Sequence, residues 1–275
     1  MDQLRKRLNH SAGERLQLLN KYSGQVSERD DLYIEYITLH NLTGDHEKAL
    51  QLINARNFHP WEGGEGKVSG QYVATHVELA RIAFHKKEYL KAVDLLNAAE
   101  VYPLNLGEGK LYGAQENDIH YWLGCAYSAL DENDKAVMYW EKASVGSSEP
   151  AAAIFYNDQP PDKIFYQGAA LMKLGRENEA HQRFGRLVEY GRQHYNDEVK
   201  IDYFAVSLPD LMIFDDDLDK KNKVHCHYLI GLGELGMGHT AEAMREFRKA
   251  LEMDKNHQGA VTHLKMTKRA TNIEA

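Results

Sequence analysis

The residues best able to do chemistry lie in a loop that occurs twice. Residues 60–70 read P-W-E-G-G-E-G-K-V-S-G and residues 103–113 read P-L-N-L-G-E-G-K-L-Y-G. A glycine-rich turn followed by lysine is the raw material of a phosphate cradle. The complete cradle needs G-x-x-x-x-G-K-[ST], because the hydroxyl meets Mg²⁺ and the first glycine opens the turn. Here Lys67 is followed by Val68 and Lys110 by Leu111, and the first glycine position holds Trp61 and Leu104. Both copies fail at both ends and read as structural turns. The alternative is a ligand or partner surface on one edge of a rigid scaffold, carried by Glu65, Lys67, Glu108 and Lys110.

Two other stretches invite a metal. Asp215-Asp216-Asp217-Leu218-Asp219 resembles the start of a calcium loop, but the sixth and twelfth positions, which need Gly and Glu, hold Lys220 and Cys226. It reads as a solvated acidic loop. His225-Cys226-His227 places two imidazoles two residues apart, on different faces of a helix. None of the 14 histidines is paired at i,i+4 with another. No G-x-S-x-G elbow is present and no carboxylate pair stands out. The expectation is therefore no metal, no cofactor and no catalytic residue within this chain.

The bulk numbers exclude some roles. The chain has 275 residues and a net charge of −8, which disfavours nonspecific nucleic-acid binding. Cys125 and Cys226 stand far apart and outside any C-x-x-C pair, so both are expected reduced. No apolar run approaches a membrane span. The N-terminal M-D-Q-L-R-K-R-L-N-H has no apolar signal region, so a cytoplasmic setting is expected, unless the chain is part of a longer protein.

The elements that must position these loops follow from the offset between them. Six positions match at a spacing of 43 residues, the mark of stacked repeats. Small residues at Gly124, Ala136 and Ala143, with large ones at Leu123, Tyr127, Leu130 and Trp140, spell a helical hairpin whose close axes demand small facing side chains. The same code recurs with Gly168, Ala180 and Phe184, and with Gly231, Ala243 and Phe247. The anchoring alanines Ala49, Ala92, Ala136, Ala180 and Ala243 are spaced by 43, 44, 44 and 63. The expected organisation is capping helices over 1–29, broken near Gly13 with a turn at Ser23-Gly24. Five repeats follow over 30–256, opened by Asp30 or Asp31 as N-cap. A capping helix and tail over 257–275 closes the chain, with Lys265, Lys268 and Arg269 in its last turn.

These residues resemble tetratricopeptide repeats. The third unit supplies Leu123, Gly124, Tyr127, Ala136, Trp140 and Ala143, and the fifth supplies Gly231, Gly238, Ala243, Phe247 and Ala250. Lys255 stands where the family usually has proline, and each repeat is longer than the usual one, with the excess in the loops. The resemblance implies an all-α fold, a right-handed α-solenoid of about five hairpins with long inter-repeat loops. A narrower resemblance, carried by H-P-W-E-G-G-E-G-K-V-S-G-Q-Y, Y-P-L-N-L-G-E-G-K and D-Y-F-A-V-S-L-P-D-L-M-I-F-D-D-D-L, is to the C-terminal repeat region of large bacterial proteins. Those proteins carry an N-terminal β-rich domain associated with carbohydrates.

The family resemblance implies a groove lined by the first helices. The corresponding row is Ile34, Val77, Tyr121, Phe165 and Tyr228, with Arg81 nearby. It reads either as inter-helix core or as an apolar slot for a peptide. Within the insert at 196–222, Ser207 to Asp210 fits a capping box, and the helix it opens, Leu208 to Phe214, reads either as a segment folded back into that groove or as an extra helix bridging the fourth and fifth units. The leading function is a non-enzymatic scaffold binding a peptide or protein partner, possible homo-oligomers included, with no nucleic acid and no membrane. The alternative is an accessory region of a carbohydrate-active enzyme whose catalytic β domain lies outside this chain.

Overall fold

The structure is a computed structural model, and it describes residues 1–61, 63–153, 159–199 and 217–273, with side chains as far as Thr267. The expected helix from Leu208 to Phe214, and the side chains of Lys268 and Arg269, lie outside the described residues. Those residues form two compact units, the first reaching Ala136 and the second starting at Val137. The described residues contain helices and no strand.

The first unit holds α1 (Asp2–Arg7), α2 (Ala12–Lys21), α3 (Ser23–Val26), α4 (Asp30–Thr43), α5 (His46–Asn54), α6 (Lys67–His85), α7 (Tyr89–Ala99) and α8 (Asn117–Ala129). The division falls within α9 (Asn133–Ala143). The second unit continues with α10 (Pro161–Lys173), α11 (Glu177–Gln193), α12 (Leu218–Gly236), α13 (Thr240–Met253) and α14 (Gln258–Ile273). In each unit consecutive helices pack on one another: α4 on α5, α5 on α6 and α6 on α7, then α10 on α11, α11 on α12 and α12 on α13. This is the all-α, helical-repeat fold class expected from the spacing.

The turns within the hairpins repeat to the atom. Gly44, Lys87, Asp131, Gly175 and Gly238 all have positive φ, between 61° and 90°. The amide after each donates to the carbonyl five residues back: Asp45 to His40, Glu88 to Ala83, Glu132 to Tyr127, Arg176 to Leu171 and His239 to Glu234. All five bonds are 2.9 Å long. This is the six-to-one bond of a Schellman cap, which satisfies a carbonyl the helix end leaves open. Three positions use glycine, the residue without a steric penalty there. Lys87 and Asp131 adopt the same dihedral with a Cβ.

Packing obeys the expected small/large code. Ala49, Ala92, Ala136, Ala180 and Ala243 are all buried. A Cβ on Gly168 would lie 2.4 Å from the Phe184 ring, and one on Gly231 would lie 2.5 Å from the Phe247 ring. The matching positions in the first unit are Ala80 with Leu96 and Ile37 with Ile53, all buried. Where the first helix carries glycine the second supplies an aromatic; where it carries more bulk, the second supplies an aliphatic side chain. Total volume is conserved.

Three local expectations are corrected. The first break, expected near Gly13, falls at residues 8–11, because Ser11 caps α2: its Oγ accepts from the Glu14 amide at 3.4 Å, and the Glu14 carboxylate accepts from the Ser11 amide at 2.9 Å. Ser23-Gly24 starts a short helix rather than a turn. Asp30 lies inside α4, whose N-cap is Arg29; its carboxylate instead accepts from the His59 amide at 2.9 Å and pairs with Arg56.

The N-terminal helices are held by a buried ion cluster. Arg15 is fully buried; it meets Asp2 at 2.7 Å and Glu35 of α4 at 2.5 Å, and Lys6 reaches both Glu35 oxygens at 3.0 Å. Burial alone would raise the Glu35 pKa, but the Lys6 and Arg15 charges and their hydrogen bonds outweigh it and bring it to about 2. A carboxylate depressed from 4.5 contributes stability that is complete above that value and is lost as pH falls towards 2. Urea titrations between pH 6 and 2.5 should therefore show acid destabilisation that Glu35→Gln flattens. In the same assay Lys87→Gly should raise stability by about 0.5–1 kcal/mol, the relief of left-handed strain less the extra freedom glycine gives the unfolded chain.

Candidate functional site

The two Gly-Glu-Gly-Lys stretches interlock, although they lie 43 residues apart. Helix α6 begins at Lys67, directly after Gly66, which has φ +73° and no side chain to cap the helix. The open amides of a first turn need acceptors. Glu108 supplies them from the second stretch: Oε2 accepts from the Gly66 amide at 2.9 Å and Oε1 from the Ser69 amide at 2.8 Å. A carboxylate there also opposes the positive end of the helix dipole. The amides a phosphate would have used are thus engaged by the chain's own glutamate.

The second stretch is fixed on both sides. Asn105 Nδ2 donates to the carbonyls of Ile53 and Arg56 at 3.0 and 3.1 Å, capping the end of α5, and its carbonyl accepts from the Phe58 amide at 2.8 Å. Gly107 passes so close that a Cβ would stand 2.4 Å from the Phe58 carbonyl oxygen. Leu106 enters a core with Ile34, Ile37, Ile53, Phe58, Val68 and Tyr72. Lys110 Nζ donates to the Glu100 carbonyl, at the end of α7, at 3.0 Å and pairs with Glu116, at the start of α8, at 2.5 Å.

Identical tetrads therefore do different work. In the first, Lys67 is the opening residue of α6 and not a loop residue, and Glu65 and Lys67 are exposed. In the second, six residues separate Lys110 from α8, so Glu108 and Lys110 reach backwards and sideways.

Between the tetrads lies a cavity of about 370 Å³, lined among others by His59, Trp61, Glu65, Leu106 and Glu108. Trp61 lies over Gly64, where a Cβ would fall 2.1 Å from the indole, so only glycine permits this wall. Sequence reasoning passed over Trp61. The available signal was an aromatic residue set between proline and glycines in an otherwise polar loop. On the same second stretch Leu104 and Tyr112 are fully exposed and Leu111 nearly so.

Most of the first-helix row is interior. In the first unit Ile34 belongs to the core just described, and Val77 and Arg81 are buried; Tyr121 is half-buried, its ring 5.4 Å from Trp122. The Arg81 guanidinium pairs with Glu78 and lies 5.6 Å from the Trp122 ring. In the second unit Phe165 packs on Phe184 and His263, and Tyr228 on His257 and His263, with its hydroxyl 3.2 Å from His263 Nδ1. His263 belongs to α14 and His257 immediately precedes it, so the C-terminal end of the chain covers this part of the row. Ile34, Val77, Arg81, Phe165 and Tyr228 pack as inter-helix core, the first of the two readings of the row, and Tyr121 keeps part of its surface.

The remaining motif also resolves. His225 Nε2 lies 2.8 Å from the Ala151 carbonyl while His227 Nδ1 lies 2.7 Å from Glu246, so the two imidazoles serve different neighbours. Burial holds His225 neutral, at a pKa of about 4, and pushes the Cys226 thiol up to about 11, far from a reactive thiolate. None of the described helices is long and apolar enough to cross a membrane.

The cap makes a distinct prediction. Glu108→Ala should destabilise the first unit by about 1–2 kcal/mol, the range of a lost N-cap, whereas Glu65→Ala, at the equivalent position of the first tetrad, should be close to neutral. Urea unfolding of the two variants checks it.

A tetratricopeptide repeat model matches residues 118–144 and 224–257. Among solved structures the chain is similar to YrrB, described as a TPR protein with an unusual peptide-binding site, at 17% identity over 90% of this chain and 97% of that chain, with a TM-score of 0.30. The two matched stretches cover α8–α9 and the greater part of α12 together with α13.

Proposed function

We propose that the chain is a protein-interaction module that acts by binding, not catalysis, and takes its partner at the looped edge formed by the two Gly-Glu-Gly-Lys stretches. The observation that carries this reading is the Trp61 cavity, whose lining includes Glu65 and Glu108. Fully exposed Leu104 and Tyr112 on the same stretch support it, because large apolar side chains left in water gain about 1.5–3 kcal/mol each on burial. Tetratricopeptide repeats are a protein-binding architecture, and loops on a rigid scaffold commonly carry the contact. The partner chemistry that fits is a peptide segment with a basic side chain. Its cation would sit against the Trp61 face and beside the exposed Glu65, on a chain of net charge −8.

The alternative is that this edge faces a linked β-rich, carbohydrate-associated domain. An array of short peptides, probed with the whole chain, separates the readings. Basic-aromatic peptides should bind, and both Trp61→Ala and the exposed charge reversal Glu65→Lys should weaken them at least about tenfold, while Tyr121→Ala leaves them unchanged. Loss in Tyr121→Ala alone would return the first-helix row as the binding surface and sink the edge reading. No peptide binding, together with a change in Trp61 fluorescence on adding soluble sugars, would favour the carbohydrate-associated alternative.

A further inference from the structure

A second cluster lies in the first unit, away from the Trp61 cavity. Glu100 is the C-cap of α7, Glu116 is the N-cap of α8, and His120 lies in the first turn of α8. The spacing of Glu116 and His120 is i,i+4, which puts both on one face. One ligand atom from each of the three residues lies within 4.8 Å of the other two, and all three are half-buried. His120 Nε2 is 3.1 Å from Glu100 Oε1, and the Lys110 ammonium stands 2.5 Å from Glu116 Oε1.

Two carboxylates, one ammonium and an imidazole meet in a corner only partly open to water, so oxygen and nitrogen donors converge there. One imidazole and two carboxylates are a three-ligand N/O set, which suits a four-coordinate Zn²⁺-type ion with water in the fourth place. Calcium, which takes six to eight oxygens, would be under-coordinated there. Ligand atoms on a tetrahedral ion are about 3.4 Å apart; closing from 4.8 Å takes small side-chain adjustments.

We propose that Glu100, Glu116 and His120 bind one divalent transition-metal ion of the Zn²⁺ class, and that the Lys110 ammonium is its built-in competitor. The ion enters as Lys110 leaves Glu116, and it then clamps the end of α7 to the start of α8. The sequence search for histidine pairs missed this set because its i,i+4 pair is a glutamate with a histidine, and its third member comes from another helix. The inference does not depend on where a protein partner binds.

The test is calorimetric titration of the chelator-washed full chain with Zn²⁺, with Co²⁺ absorption as the optical probe of a four-coordinate site. Saturation at one equivalent is expected. His120→Gln, which keeps a hydrogen-bond donor for Glu100, and Glu116→Gln should each weaken binding at least about tenfold with helical circular dichroism unchanged. Lys110→Met should tighten it, because the competing charge is gone. Absence of saturable binding overturns the proposal, and so does Zn²⁺ affinity unaltered in His120→Gln or weakened in Lys110→Met.

Discussion

Everything in this chain depends on how closely its helices can lie. Phe184 shows the constraint most sharply. Its ring is received by Gly168 of α10 and by Gly236 at the end of α12; a Cβ on either would come within 2.4 Å of ring carbons. The crossing of α11 and α12 is equally tight. A Cβ on Gly233 would lie 2.5 Å from the Phe184 carbonyl oxygen, and one on Gly191 would lie 2.7 Å from that of Cys226. Backbone meets backbone there, and any added methylene must displace a main chain that cannot yield.

Close packing in turn requires that each hairpin return at a fixed angle. The five left-handed turns with identical 2.9 Å bonds meet that need. Their residues are spaced by the same 43, 44, 44 and 63 as the anchoring alanines, so turn and contact are one rigid unit. Lys87 and Asp131 hold the geometry without glycine. The turn is therefore imposed by the packing of the helices it joins, and local preference is overruled.

The long loops between hairpins solve a different problem. Helix α6 starts after a glycine that cannot cap it, and α5 ends without a cap side chain of its own. Glu108 and Asn105, brought from the following loop, satisfy both ends at once. This leaves Leu106 in the core and turns Leu104 and Tyr112 outwards, which is how a structural tie and an exposed apolar edge come from one stretch.

The helical-repeat architecture was legible because period, small residues and turn glycines are properties of the chain read one position at a time. Ala136 and Ala180 announced their burial, and Gly168 its aromatic neighbour, through spacing alone. The candidate sites were not legible in that way. Two identical tetrads take different roles because α6 begins at once after the first, whereas α8 begins only at Asn117. The row from Ile34 to Tyr228 has the composition of a slot, yet its own neighbours bury most of it, with His257 and His263 over its second part. Glu100, Glu116 and His120 carry no shared period and meet only when α7 and α8 pack. Periodicity determined which faces must be apolar and where the chain must turn. Only the tertiary structure decided which polar groups would be consumed by helix ends and which left to meet something else, because that depends on distances between residues far apart in the chain.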